Sequence, residues 1–189
     1  MSRASATDLE RDIYANYLFE KFLEIFLSKG KNTVLQFSIG AEPLPFETGS
    51  KLKTDTVFEI AEIISHYTQI NFNFHIASEH QNQAFCTLAR ELPNVSFSGY
   101  WWHNFFPGSI RNVLRQRLDM VAANKQIGFI SDAYCMDWTY AKSILIRRQM
   151  AEVFAEKVEQ GQYTIYSALK IANQILYETP KQIFNIKVD

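Results

Sequence analysis

Short apolar runs alternate with long helical periods along this chain, and each run ends abruptly in polar or aromatic residues. That alternation restricts the fold more than any other feature. Strands separated by helices of this length pair in parallel, because a parallel pair needs a crossover and the crossover is usually a helix. Four runs read as strands, over residues 33–39, 71–76, 95–101 and 128–131. Helical spacing fills the intervals. A first helix opens at Thr7-Asp8-Leu9-Glu10, which reads as a capping box, and runs to about Ser28. Further helices are predicted over 56–67, 81–91, 107–123, 140–159 and 164–178. The fold class is α/β, with parallel βα units joined by right-handed crossovers. A closed eight-stranded barrel takes about 250 residues. With 189 residues and four strands, the expectation is a half-barrel or a small open sheet, in one domain over 1–189. One long loop, 40–53, is rich in proline, glycine and charge, and loops of that length are often functional.

The composition is 47% hydrophobic and 14% aromatic, enough to build a core and too much for a disordered chain. A formal charge of −1 gives no electrostatic case for nucleic acid or an anionic membrane. No apolar run approaches the roughly 20 residues that span a bilayer. Residues 1–31 are amphipathic and charged, unlike a secretory leader. Cys86 and Cys135 fit no metal or redox spacing and read as reduced thiols. A cytoplasmic location is expected, with no nucleic-acid or membrane partner.

Strand parity points to a site. Side chains alternate faces along a strand. Val34, Gln36 and Ser38 oppose Leu35, Phe37 and Ile39; Asn71, Asn73 and His75 oppose Phe72, Phe74 and Ile76. Ser96, Ser98, Tyr100 and Trp102 oppose Val95, Phe97 and Trp101, while Ile130 and Asp132 share a face. Buried parallel strands are usually apolar on both faces, so one polar face per strand suggests an interior cleft. Gln36, Ser38, Asn73, His75, Tyr100 and Asp132 are expected to converge there. The plainer reading is a filled interior in which these groups hydrogen-bond one another.

At Trp101-Trp102-His103-Asn104 and Ser131-Asp132-Ala133-Tyr134 the chain resembles the C-terminal half of the uronate (glucuronate) isomerase family. That family is a metal-dependent (β/α)8-barrel branch of the amidohydrolase superfamily. Its seventh strand is followed by Trp-Trp-Phe-Asn-Asp; here the tryptophans and Asn104 match, and His103 and Phe105 differ. Its eighth strand is followed by Thr-Asp-Ser-Arg; here Asp132 matches and Tyr134 replaces the arginine. Gln36-Phe37-Ser38-Ile39-Gly40-Ala41 resembles the family's Gln-Leu-His-Ile-Gly-Ala, with Ser38 in place of histidine. Thr139-Tyr140-Ala141-Lys142, followed by Arg147-Arg148, resembles Ser-Tyr-Pro-Arg followed by paired arginines. The stretch 175–184 resembles the closing helix.

The resemblance implies aldose–ketose interconversion of hexuronates, a small-molecule sugar acid as ligand, and Asp132 as a metal ligand. The metal would be a divalent ion such as zinc, held with a His-x-His pair that this chain lacks and a missing N-terminal half would supply. His75 and Tyr134 join Asp132 as candidate catalytic residues. Trp101, Trp102, His103, Asn104, Lys142 and Arg147 are candidate substrate-binding residues, the arginine because its planar fork suits a carboxylate. Plainer alternatives are an N-cap for Asp132, an interior hydrogen-bonded histidine for His75, and ordinary surface charge for one of Arg147 and Arg148. A second functional class is a non-catalytic half-barrel that self-associates into a homo-oligomer or completes a barrel with a partner chain. A metal-dependent hydrolase of the wider superfamily is the third.

Overall fold

The computed structural model describes residues 6–30, 33–43, 50–52, 56–101 and 103–187. They fall into two compact units, one ending at Thr33 and the other beginning at Val34. The first unit contains one helix, α1 (Asp8–Ser28). Its capping box is complete. The Glu10 amide donates to Thr7 Oγ1 at 3.3 Å, and the Thr7 amide donates back to Glu10 Oε2 at 2.8 Å. The second hydrogen bond holds the Glu10 carboxyl below its usual pKa.

The second unit is a parallel sheet with flanking helices. Its strands are β1 (Val34–Ile39), β4 (Asn71–Ile76), β5 (Val95–Ser98) and β6 (Gln126–Ile127), in the spatial order β1-β4-β5-β6. The intervening β2 (Ala41–Pro43) and β3 (Ser50–Leu52) pair as an antiparallel hairpin. This hairpin occupies much of the stretch predicted as loop, and residues 44–49 and 53 lie outside the described residues. The helices are α2 (Thr56–His66), α3 (Glu79–Glu91), α4 (Pro107–Met120), α5 (Met136–Glu159), α6 (Ile165–Asn173) and α7 (Thr179–Ile183). A π-helical turn, Gln174–Glu178, joins α6 to α7 and interrupts the single closing helix that the periodicity predicts.

The register places Ser38 beside His75 and Gln36 beside Asn73. One face is apolar: Phe72, Phe74 and Phe97 are fully buried there. The Phe37 ring stacks at 5.9 Å from Phe74, which meets Phe85 of α3 at 5.3 Å. α3 packs on α4, α4 on α5, and α5 on α6. A continuous core joins Ile110 and Leu114 of α4 to Ile146, Met150 and Val153 of α5, with Ala168 and Ile175 behind them. Between α4 and α5, Arg115 grips Glu156 at 2.7 Å, and Arg111 reaches Glu152 at 2.9 Å.

Two strands stop short of their predicted ends. β5 ends at Ser98 because Gly99 turns into the left-handed region at φ 52°, where a Cβ would lie 2.6 Å from the Ile130 amide. That turn breaks the alternation, and Tyr100 swings into the helix-side core instead of joining the polar face. β6 covers Gln126–Ile127, not 128–131. At Gly128 the chain leaves the sheet, and its amide donates to the Ile175 carbonyl at 3.0 Å. A Cβ on Gly128 would come within 2.6 Å of the Ile175 side chain, so only glycine permits this approach.

Candidate functional site

The polar face of the sheet is a connected hydrogen-bond ladder. Asn73 lies at its centre and is fully buried. Its Oδ1 accepts from Ser98 Oγ at 2.6 Å and from Gln36 Nε2 at 3.3 Å, while its Nδ2 donates to Ser96 Oγ at 2.9 Å. His75 continues the ladder toward the carboxyl ends of the strands. Its Nε2 lies 3.5 Å from Gln36 Nε2 and its Nδ1 lies 3.3 Å from Ser38 Oγ. With Gln36 donating, the neutral ring carries its hydrogen on Nδ1. Burial is the largest influence on His75 and lowers its pKa; the Asp132 charge opposes this and Arg117 adds to it. Gln36, Ser38, Asn73 and His75 therefore converge as parity predicts.

Asp132 stands on the turn after β6, at the carboxyl end of the sheet, where parallel α/β folds place their sites. Its backbone is left-handed at φ 43°, a region that aspartate and asparagine enter more readily than other residues with a Cβ. Three side chains hold that turn. Lys142, 3% exposed, donates to the Ser131 carbonyl at 2.6 Å and the Asp132 carbonyl at 2.8 Å. Asn104 Nδ2, also buried, donates to the Ser131 carbonyl at 3.3 Å. Trp101 Nε1 donates to Asp132 Oδ2 at 3.1 Å. The Lys142 ammonium also lies over the Phe105 ring, 4.2 Å from its centre.

The other candidates are dispersed. His103 is buried, and its Nδ1 lies 3.3 Å from the Ala77 carbonyl, on the far side of β5 from Asp132 in strand order. Tyr134 is 97% exposed and its ring meets only Trp138 among the described aromatic contacts. Arg147 is exposed and lines an apolar groove between α5 and α6 with Met150, Phe154 and Leu169. Trp102 lies outside the described residues.

Sequence reasoning passed over Ser78 and Arg117. Ser78 lies two residues past the β4 run and just before α3, where a serine at a strand–helix junction is a usable signal. Arg117 had no signal, for a lone arginine in a helical period reads as surface. In the fold it is buried, donating to Asn82 Oδ1 at 2.9 Å and the Gly99 carbonyl at 2.6 Å beneath the Phe97 and Tyr100 rings.

A zinc ion needs about three or four protein ligands. Among the described residues no three His, Cys, Asp or Glu side chains gather to hold one. Asp132 gives one oxygen to an indole, and both nitrogens of His75 face neighbours in the ladder. These residues do not by themselves fit a metal centre.

No family model matches the chain. Its sequence is similar to the uronate isomerases of Thermotoga sp. strain RQ2 and Thermotoga maritima, at 28% identity over 98 residues, which are 52% of this chain and 22% of each relative. Its fold is similar to the solved uronate isomerase of Thermotoga maritima, with a TM-score of 0.86 at 21% identity, covering 97% of this chain and 43% of that one. The glucuronate isomerase of Caulobacter crescentus gives a TM-score of 0.79 at 15% identity, covering 100% of this chain and 46% of that one. The chain thus spans less than half the length of the relatives it matches, and its fold is that of part of a uronate isomerase barrel.

Proposed function

We propose that this chain is the C-terminal half of a uronate-isomerase-like site and takes part in aldose–ketose interconversion of a hexuronate. The carrying observation is the clamped turn at Asp132. Trp101 and Asn104 of the loop after β5, with Lys142 of α5, hold the backbone and one carboxylate oxygen of a left-handed turn at the carboxyl end of a parallel sheet. A carboxylate fixed by neighbouring side chains at the carboxyl end of a parallel sheet is placed where such folds do their chemistry.

Isomerisation of this kind moves a proton between adjacent carbons and needs a positioned base. Asp132 suits the role: the Trp101 indole fixes Oδ2 and so aims Oδ1. In this reading the carboxylate takes the proton from one carbon and returns it to the next, while a hydroxyl hydrogen passes to the former carbonyl oxygen. No oxidant is consumed. Trp101 and Asn104 border the turn, and Lys142 supports it from below. The family resemblance implies a divalent ion, but no step is assigned to one here. Ligands from a partner half with a His-x-His pair would have to complete its site.

The test is conversion of d-glucuronate to its ketose, followed by NMR with zinc present. An N-terminal half-barrel carrying a His-x-His pair is supplied in the same polypeptide or as a second one. Turnover that Asp132→Asn reduces by about 100-fold or more supports the reading. No turnover in either arrangement overturns it.

A second reading is a non-catalytic half-barrel that pairs with another copy. Among the described residues, β1 and β6 each have a strand neighbour on one side only, which leaves two sheet edges open. Light scattering separates the two: a monomer at high concentration removes this second reading.

A further inference from the structure

Arg117 of α4 is 2% exposed and carries a charge into the interior. Burying a charge is costly unless it is paired. Among the described residues its side-chain hydrogen bonds go only to neutral oxygens. Nε donates to Asn82 Oδ1 at 2.9 Å, and Nη1 donates to the Gly99 carbonyl at 2.6 Å. Nη2 is buried with no acceptor. The guanidinium lies 4.9 Å from the centre of the Phe97 ring and 5.4 Å from that of Tyr100. An apolar side chain of similar length would occupy this place without the desolvation cost, and such replacements of buried charge are often neutral or stabilising. Stability alone therefore does not account for the charge. Its contacts concentrate instead on one stretch, the exit of β5 at 97–100.

That exit leads to the candidate acid. Gly99 turns left-handed at φ 52°, and Trp101, two residues on, donates to Asp132 Oδ2 at 3.1 Å. Glycine is conformationally permissive, so the course of the chain beyond it is set by what holds its peptide groups. The Ile127 carbonyl of β6 holds the Gly99 amide at 2.7 Å, and Arg117 holds the carbonyl. A charged donor grips a carbonyl more strongly than a neutral one, and the rigid guanidinium fork reaches Asn82 and Gly99 from one plane. The Arg117 backbone serves the next strand. Its carbonyl accepts from Gln126 Nε2 of β6 at 3.0 Å, and the same amide group donates to the Val121 carbonyl at 2.6 Å. One residue of α4 thus meets both the strand before Trp101 and the strand before Asp132.

We infer that Arg117 is a positioning residue, whose guanidinium fixes the Gly99 peptide and through it the Trp101 indole that aims the Asp132 carboxylate. The inference deepens the isomerase reading and rests on it only for the use made of Asp132. Arg117 itself touches no reacting group. Its charge serves to hold one backbone carbonyl at a joint that would otherwise swing.

The test is nitrogen-15 relaxation of the indoles in the full chain, which has three tryptophans. Trp101→Phe identifies the Trp101 resonance by deleting it. In the wild type its order parameter is expected near the rigid value of about 0.85, and in Arg117→Met below about 0.6, while the Phe72 amide stays rigid in both. Order parameters describe the folded population, so a mere loss of stability leaves them unmoved. Arg117→Lys keeps a donor for the Gly99 carbonyl and should recover most of the rigidity. If Arg117→Met does not fold, Arg117→Gln, neutral and too short to reach Gly99, is read by the same criterion. A Trp101 indole that stays rigid in these variants overturns the inference, as does loosening shared equally by Phe72. Failure of all three variants to fold assigns Arg117 to the core and overturns it too. With the complementary half-barrel supplied, Arg117→Met should lower kcat for d-glucuronate about tenfold or more with KM little changed. An unchanged kcat with a loose indole overturns the inference. A wild type without turnover, whose indole loosens only when Arg117 is replaced, leaves this inference standing and removes the isomerase reading; turnover with the indole unmoved does the reverse.

Discussion

The Lys142 ammonium lies 2.8 Å from the Asp132 carbonyl and 2.6 Å from that of Ser131, so a buried cation holds the backbone of the turn that carries the candidate acid. Substitution of Lys142→Met would remove both bonds and the cation–π contact with Phe105. A loss of roughly 2–4 kcal/mol in stability is expected. Urea denaturation measures it. If Lys142→Met unfolds at the wild-type midpoint, the clamp is not structural.

Asp132 separates backbone from side-chain effects. Asparagine tolerates the left-handed region and keeps an oxygen for the Trp101 indole. Asp132→Asn should unfold within about 0.5 kcal/mol of wild type. Asp132→Gly should relieve the backbone while losing the indole bond, for a net change under about 1 kcal/mol. Thermal melts of the two variants check this. A large loss for Asp132→Asn would mean that the negative charge itself stabilises the fold.

Asn73 makes three side-chain bonds within the sheet. Asn73→Ala would leave the Ser98 hydroxyl without its acceptor in a buried layer and take one of two partners from Ser96, which still donates to the Phe72 carbonyl. A cost of about 2–4 kcal/mol is expected. Asn73→Asp should cost at least as much, because it removes the donor to Ser96 and buries an unpaired charge. Equilibrium denaturation orders them.

Burial holds both His75 and His103 below the ordinary imidazole pKa near 6.5. The unfolded chain therefore takes up protons first as the pH falls. Stability should be flat above about pH 7 and should decline as the pH drops through 6.5 toward the lowered folded values. His75→Gln should flatten part of that slope. Melting temperatures measured from pH 8 to 5 test it, and a stability that rose toward pH 5 would reverse the assigned sign.

The two thiols should differ in reactivity. Burial pushes the Cys86 thiol up to about 11, while Cys135 is exposed. A disulfide reagent at neutral pH should label Cys135 quickly and Cys86 only on unfolding. Fast labelling of Cys86 in the native protein would contradict its place in the core.

What could be read from the sequence was whatever repeats locally. β4 begins and ends where the alternation of Asn71 to Ile76 does, and the α1 capping box forms at Thr7 and Glu10. Parity correctly gathered Gln36, Ser38, Asn73 and His75, because those strands stay regular to their ends. It failed at Tyr100, one residue past a left-handed glycine, since a single positive φ resets which side chain faces which layer. The extent of β6 was hidden for a different reason. Its apolar run continues through Ile130, and the bond that draws Gly128 off the sheet comes from Ile175, which no local pattern near Gly128 reveals. The role of Lys142 was equally out of reach, because its partners are backbone carbonyls of another segment and leave no mark on residue type.

The bond from the Gly128 amide to the Ile175 carbonyl also orders events during synthesis. The stretch that leaves β6 cannot settle until the π-helical turn near the C-terminus has left the ribosome. Until then the nascent chain carries a finished strand beside an unfinished one, and that open edge is available for pairing with other chains or with chaperones.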